Sequence, residues 1–163
     1  MDKYIIAIDP GKVTGIAVLH LTDNSFALME VNHLEDPDYV WEPIYDLITR
    51  YTETYDDVVV LCESFELRPD VAQPDETPKY SIKDLERYVA PHYPIEYQMA
   101  SQAKVGIPPG RNGRRDRLHS FGLHQRGYRH ANDAIRHCLV YAIDKLRHRP
   151  LIVRGWGVPG RNK

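Results

Sequence analysis

A chain of 163 residues with ordinary charged (27%) and apolar (42%) fractions reads as one folded domain with room for a two- or three-layer core. No apolar run approaches the roughly 20 residues of a membrane span, and no signal peptide opens the sequence, so a cytoplasmic protein with no membrane partner is expected. The net charge of −2 hides a division, because residues 1–63 hold 13 Asp/Glu against 3 Lys/Arg and residues 64–163 hold 10 against 18.

The first strand is Tyr4–Ile8, and it runs into Asp9-Pro10-Gly11. Gly11 and Gly15 bracket a turn, and Gly15–Leu19 begins a second strand. Asp23-Asn24-Ser25 signals another turn, so Phe26–Val31 returns as a third strand and completes an antiparallel meander. Asp36-Pro37-Asp38 opens a helix, with Ile44, Leu47, Ile48 and Tyr51 as its core stripe, and Pro43 lies in its first turn or marks its true start. Val58–Cys62 is a continuous β-branched run, the mark of a strand buried on both faces, and Glu63 ends it. Residues 68–80 lack periodicity and read as a surface loop. Ser81–Asp84 resembles a capping box with Asp in place of Glu, starting a short helix to Ala90. Pro94–Met99 alternates as a fifth strand. Cys62 and Cys138 both lie in apolar segments, as buried free thiols rather than a disulfide.

Residues 101–129 are basic, with Lys104, Arg111, Arg114, Arg115, Arg117, Arg126 and Arg129 against Asp116 alone. A short helix fits Asp116–Phe121. The last helix spans Ala131–Arg147, with an apolar face from Ala131 to Leu146. The folded domain is expected over 1–150, followed by a basic, flexible tail at 151–163. The order βββ-α-β-α-β-α predicts an α/β protein with a mixed sheet and helices on both faces.

Asp9 and Glu63 each terminate an apolar strand. If those strands are parallel neighbours, their ends adjoin at the sheet edge where open α/β folds place their sites. His130 and Asp133, spaced i, i+3, share one face of the last helix. Asp is a poor helix former, so Asp133 inside an apolar helix needs a reason to be there. Clustered carboxylates repel and require cations, and oxygen ligands of this kind suit Mg²⁺ or Mn²⁺. His119, His124 and His137 read first as surface or structural residues. His137, four residues after Asp133, is also placed to hold a ligand in position.

Asp9 in AIDPGKVTGIAV, Glu63 after VVVLC and HANDAIRH at 130–137 together resemble the RuvC-type Holliday junction resolvases of the ribonuclease H-like superfamily, especially the compact bacteriophage proteins. The resemblance implies a ribonuclease H-like fold whose five-stranded sheet has three antiparallel strands, then two parallel. It also implies two Mg²⁺ ions, replaceable by Mn²⁺, held by Asp9, Glu63, His130 and Asp133, with Asp9 bridging. Branched DNA, above all four-way junctions, is the implied substrate of a homodimer in a bacterial cytoplasm. Lys104 falls near a family position that meets DNA backbone, and Arg111, Arg114, Arg115 and Arg117 would grip further phosphates. Phe65 lies near a region that the family inserts at the junction, and equally reads as core. His130 stands where some members carry Asp and others His; an imidazole at that position suits Mn²⁺ better than Mg²⁺.

Three other readings compete. One is a related nuclease acting on RNA, flaps or forks. Another is an ATP-binding kinase-like domain, since Asp-x-Gly-x-x-x-Gly after a strand also meets phosphate. The third is a non-catalytic DNA-binding module.

Overall fold

In the computed structural model, which describes residues 1–36, 38–65, 75–110 and 113–156, β1 (Asp2–Asp9) is the middle strand of five. It pairs antiparallel with β2 (Thr14–Thr22), which pairs antiparallel with β3 (Phe26–Leu34). On its other side β1 runs parallel to β4 (Val58–Ser64), and β4 runs parallel to β5 (Ile95–Met99). The spatial order is β3-β2-β1-β4-β5. This is the expected sheet, with three antiparallel strands and then two added in parallel.

Strand alternation divides β1 and β2 between two cores. Ile5, Ala7, Ala17 and Leu19 face α5 (Arg129–Asp144), α4 (Leu118–Phe121) and α6 (Arg149–Trp156). Tyr4, Ile6, Ile8, Ile16 and Val18 face α1 (Trp41–Thr54) and the segment ending at Val89. Helices thus cover both faces. The two outer layers explain why β1 and β2 are almost uniformly apolar rather than alternating. Both cysteines are buried free thiols, as expected.

Several boundaries differ from the sequence reading. α1 begins at Trp41, because Asp36 accepts a hydrogen bond from the Asp38 backbone N–H and spends the acids on a turn before the helix. α2 (Thr77–Asp84) begins four residues before Ser81. Asp75 accepts bonds from the Thr77 backbone N–H and hydroxyl, and Pro78 sits in the first turn. The chain continues as a π turn over Leu85–Val89, which puts both of those residues in the core. α3 (Ala100–Gly106) opens the basic stretch as a helix, with Gln102 bonding back to the Met99 N–H. α5 ends at Asp144 rather than Arg147. Arg147 takes a positive φ of 53° while the His148 N–H reaches back to the Ala142 carbonyl. Residues 151–156, expected in the tail, lie in α6, and Leu151 is fully buried. Most of the expected 68–80 loop, Arg111 and residues 157–163 lie outside the described residues.

Candidate active site

Asp9 ends β1 with only 5% of its surface exposed. Ile8 pairs with Cys62 across the parallel ladder, so Asp9 and Glu63 follow as the next positions on adjacent strands. On the opposite side Asp9 faces Gly15. A Cβ on Gly15 would lie 2.1 Å from the His130 carbonyl carbon and 2.2 Å from its oxygen. Only glycine lets the first turn of α5 descend onto β2, and this approach delivers His130 to Asp9. His130 Nδ1 donates to Asp9 Oδ2 at 2.9 Å. With Nδ1 committed there, Nε2 is the ring nitrogen left to meet a metal ion or water.

Glu63 is half-buried and has its own imidazole. His137 Nε2 donates to Glu63 Oε2 at 2.9 Å, while Nδ1 pairs with the Gln98 side-chain amide at 2.9 Å. Gln98 is also the β5 residue opposite Glu63 in the ladder. Three elements therefore fix one carboxylate. Asp133, one helical turn beyond His130, is 7% exposed. Its Oδ1 accepts from Arg136 Nη1 at 2.8 Å, and Lys104 Nζ lies 3.6 Å from its Oδ2.

The electrostatics bind the set together. Burial pushes Asp9 up to about 6, and the Glu63 and Asp133 charges push the same way against the His130 hydrogen bond. Burial acts on Glu63 too, but the His137 hydrogen bond and charge, with Lys104 behind them, hold it below its ordinary value. The hydrogen bond to Asp9 raises His130 against partial burial, with the Asp9 and Asp133 charges adding to it.

The four expected ligands are thus gathered at one sheet edge, where Glu63, Asp133 and His130 all act on the ionisation of Asp9. Three carboxylates and an imidazole make a donor set that fits a hard divalent cation. No three His, Cys, Asp or Glu side chains among the described residues form a ready ligand cage. Protein groups partner the acids instead: His130 at Asp9, His137 at Glu63, Arg136 and Lys104 at Asp133.

Lys104 also borders a cleft of about 480 Å³ with Arg114, Arg115 and Arg117. Arg114 and Arg115 are exposed. Arg117 is half-buried and donates to the Gly155 carbonyl, so it ties α4 to α6. Phe65 is half-buried just past β4. His119 and His124 stack with ring centroids 4.1 Å apart, and His124, with Nε2 3.9 Å from Asp116, lines one cleft with Lys104 and Asp133.

Sequence reasoning missed Arg136, Asp116 and Gln98. Two of them left a signal. Arg136 and His137 interrupt an apolar helix face, and Asp116 is the lone acid in a basic stretch. A charge in either setting needs a partner.

No protein-family model matches the sequence, and no curated protein matches it. Solved structures do. A structure of Thermus thermophilus RuvC superposes with a TM-score of 0.62 at 14% identity, covering 89% of this chain and 97% of the other. T. thermophilus RuvC in complex with a Holliday junction substrate gives 0.61 at 13% identity, covering 88% and 96%. The chain therefore has the fold of RuvC over nearly its whole length.

Proposed function

We propose that this protein is a divalent-metal-dependent endonuclease that cuts branched DNA, four-way junctions above all. One observation carries the reading. In a chain with the RuvC fold, Asp9, Glu63, His130 and Asp133 arrive from β1, β4 and α5 at a single edge of the sheet.

Asp9, Glu63, His130 and Asp133 would hold the metal, two Mg²⁺ ions or Mn²⁺ in their place. When bound, the ions supply Lewis-acid activation of the attacking water and charge stabilisation at the departing oxygen. Asp9, on the central strand between Glu63 and α5, would be the ligand placed among the other three. His137 and Gln98 hold the Glu63 carboxylate in orientation, as partners behind a ligand do. Lys104, Arg114 and Arg115 hold the DNA by its phosphates without reading its sequence. Cleavage leaves 5′-phosphate and 3′-hydroxyl ends, and two copies of the chain make the paired cuts.

Asp9→Asn tests the assignment on a labelled four-way junction. The variant is expected to bind the junction and to lose cleavage by at least about a thousandfold, as expected for removing a group that stabilises transition-state charge. Cleavage at the wild-type rate would remove Asp9 from the centre.

A further inference from the structure

Arg136 is among the largest fully buried side chains in the molecule, with 2% of its surface exposed. A guanidinium stays charged in a protein, so burying one requires acceptors for its fork of donors. Arg136 has three. Nε donates to the Ile107 carbonyl at 2.9 Å, Nη1 to Asp133 Oδ1 at 2.8 Å, and Nη2 to Asp116 Oδ2.

The places of these acceptors matter more than their number. Ile107 follows directly on α3, where the basic loop departs. Asp116 lies where that loop returns, and its Oδ1 accepts from the Leu118 N–H at 2.9 Å to start α4. Between these feet the Arg117 N–H donates to the Pro108 carbonyl at 3.1 Å. The third acceptor is the acid of the proposed metal centre. One planar group therefore touches both feet of the loop and Asp133 at once. Exposed Arg114 and Arg115 immediately precede Asp116 and border the cleft that Lys104 shares.

We infer that Arg136 is a positioning residue that clamps both feet of the basic loop to Asp133. The clamp holds the phosphate-gripping Arg114 and Arg115 in register with the acid. This inference rests on the function proposed above. A lysine in its place would keep the buried charge but not the fork that spans three acceptors.

The test is a double-mutant cycle on four-way-junction affinity, measured by fluorescence anisotropy in chelator. It compares wild type, Arg136→Lys, the pair Arg114→Ala with Arg115→Ala, and the combination. Arg136→Lys is expected to weaken binding about tenfold. Removing the two arginines should cost about tenfold in the wild type and less than about twofold once the clamp is gone. Additive losses would overturn the clamp, because a merely structural Arg136 leaves the loop arginines their full effect. The Mn²⁺-induced rise in melting temperature gives a second readout. It should shrink in Arg136→Lys and persist in the Arg114→Ala, Arg115→Ala protein; an unchanged rise in Arg136→Lys counts against the clamp. If Arg136→Lys fails to fold, Asp116→Asn runs the same cycle, since it keeps the acceptor for Leu118 and drops the ion pair. A wild type that neither binds nor cuts junctions defeats the proposed function itself. A wild type that does both, with additive losses, defeats the clamp alone.

Discussion

Asp9 is a carboxylate that the fold makes costly to ionise. Its folded value of about 6 lies above that of an unfolded aspartate, with burial as the first cause. A raised value means that its contribution to stability is fully present below about pH 4 and is lost as pH rises through about 6. The raised value of His130 acts in the same direction, since its ion pair with Asp9 fades as the ring deprotonates. Asp9→Asn removes the first effect and the Asp9 share of the second, leaving only the Asp133 charge acting to raise His130. In urea unfolding with chelator present, the wild type should lose about 3 kcal/mol more than Asp9→Asn between pH 4 and pH 8. Equal losses would mean that Asp9 carries no such burden. A group under this strain gains most from a cation, which is the physical reason for reading the edge as a metal centre. At the same scale, HANDAIRH made His130 and Asp133 legible and set His137 where it could hold a ligand, whereas the role of Arg136 and the identity of the His137 partners were not legible. Their partners Asp116, Glu63 and Gln98 lie 20 to 74 residues away in sequence, and only the closed fold brings them near.

The elements meet at Gly15. β2 passes under α5 so closely that a methyl group there would overlap the His130 backbone, while at Gly11 the nearest atom would be Val13 O at 3.2 Å. Gly15→Ala should therefore cost about 3 kcal/mol in denaturant unfolding and abolish junction cleavage, because the first turn of α5 must lift. Gly11→Ala should cost far less. A Gly15→Ala protein with wild-type stability and activity would contradict this account of how His130 is delivered. The main elements were legible because their periodicities are strong: the Ile44–Tyr51 stripe, the VVVLC run and the apolar face of α5 from Ala131 to Ile143 stand as read. The misread elements depended on tertiary contacts. α6 is short and lies in a basic, Gly-containing stretch. Packing makes it a helix, with Leu151 buried and Gly155 set so near Phe121 that a Cβ would meet the ring at 2.6 Å. α3 depends similarly on Gly106, where an added Cβ would lie 2.8 Å from Val140 on α5.

Across the whole molecule, the division of charge matches the division of labour. The acid-rich first part contributes Asp9 and Glu63 from adjoining strands. The basic second part contributes Lys104, Arg114 and Arg115 around a cleft beside Asp133. Lys104 stands between the two groups, facing the acid on one side and the basic cleft on the other. A protein built this way can draw a polyanion toward carboxylates that would otherwise repel it. The measurement that tests this most directly is cleavage of a labelled four-way junction beside linear duplex, single strand, flap and RNA–DNA hybrid, in Mg²⁺, in Mn²⁺ and in chelator. The account predicts that the junction is cut fastest, in either metal and not in chelator. Undiminished cutting in chelator, or faster cutting of linear duplex or hybrid, would contradict it.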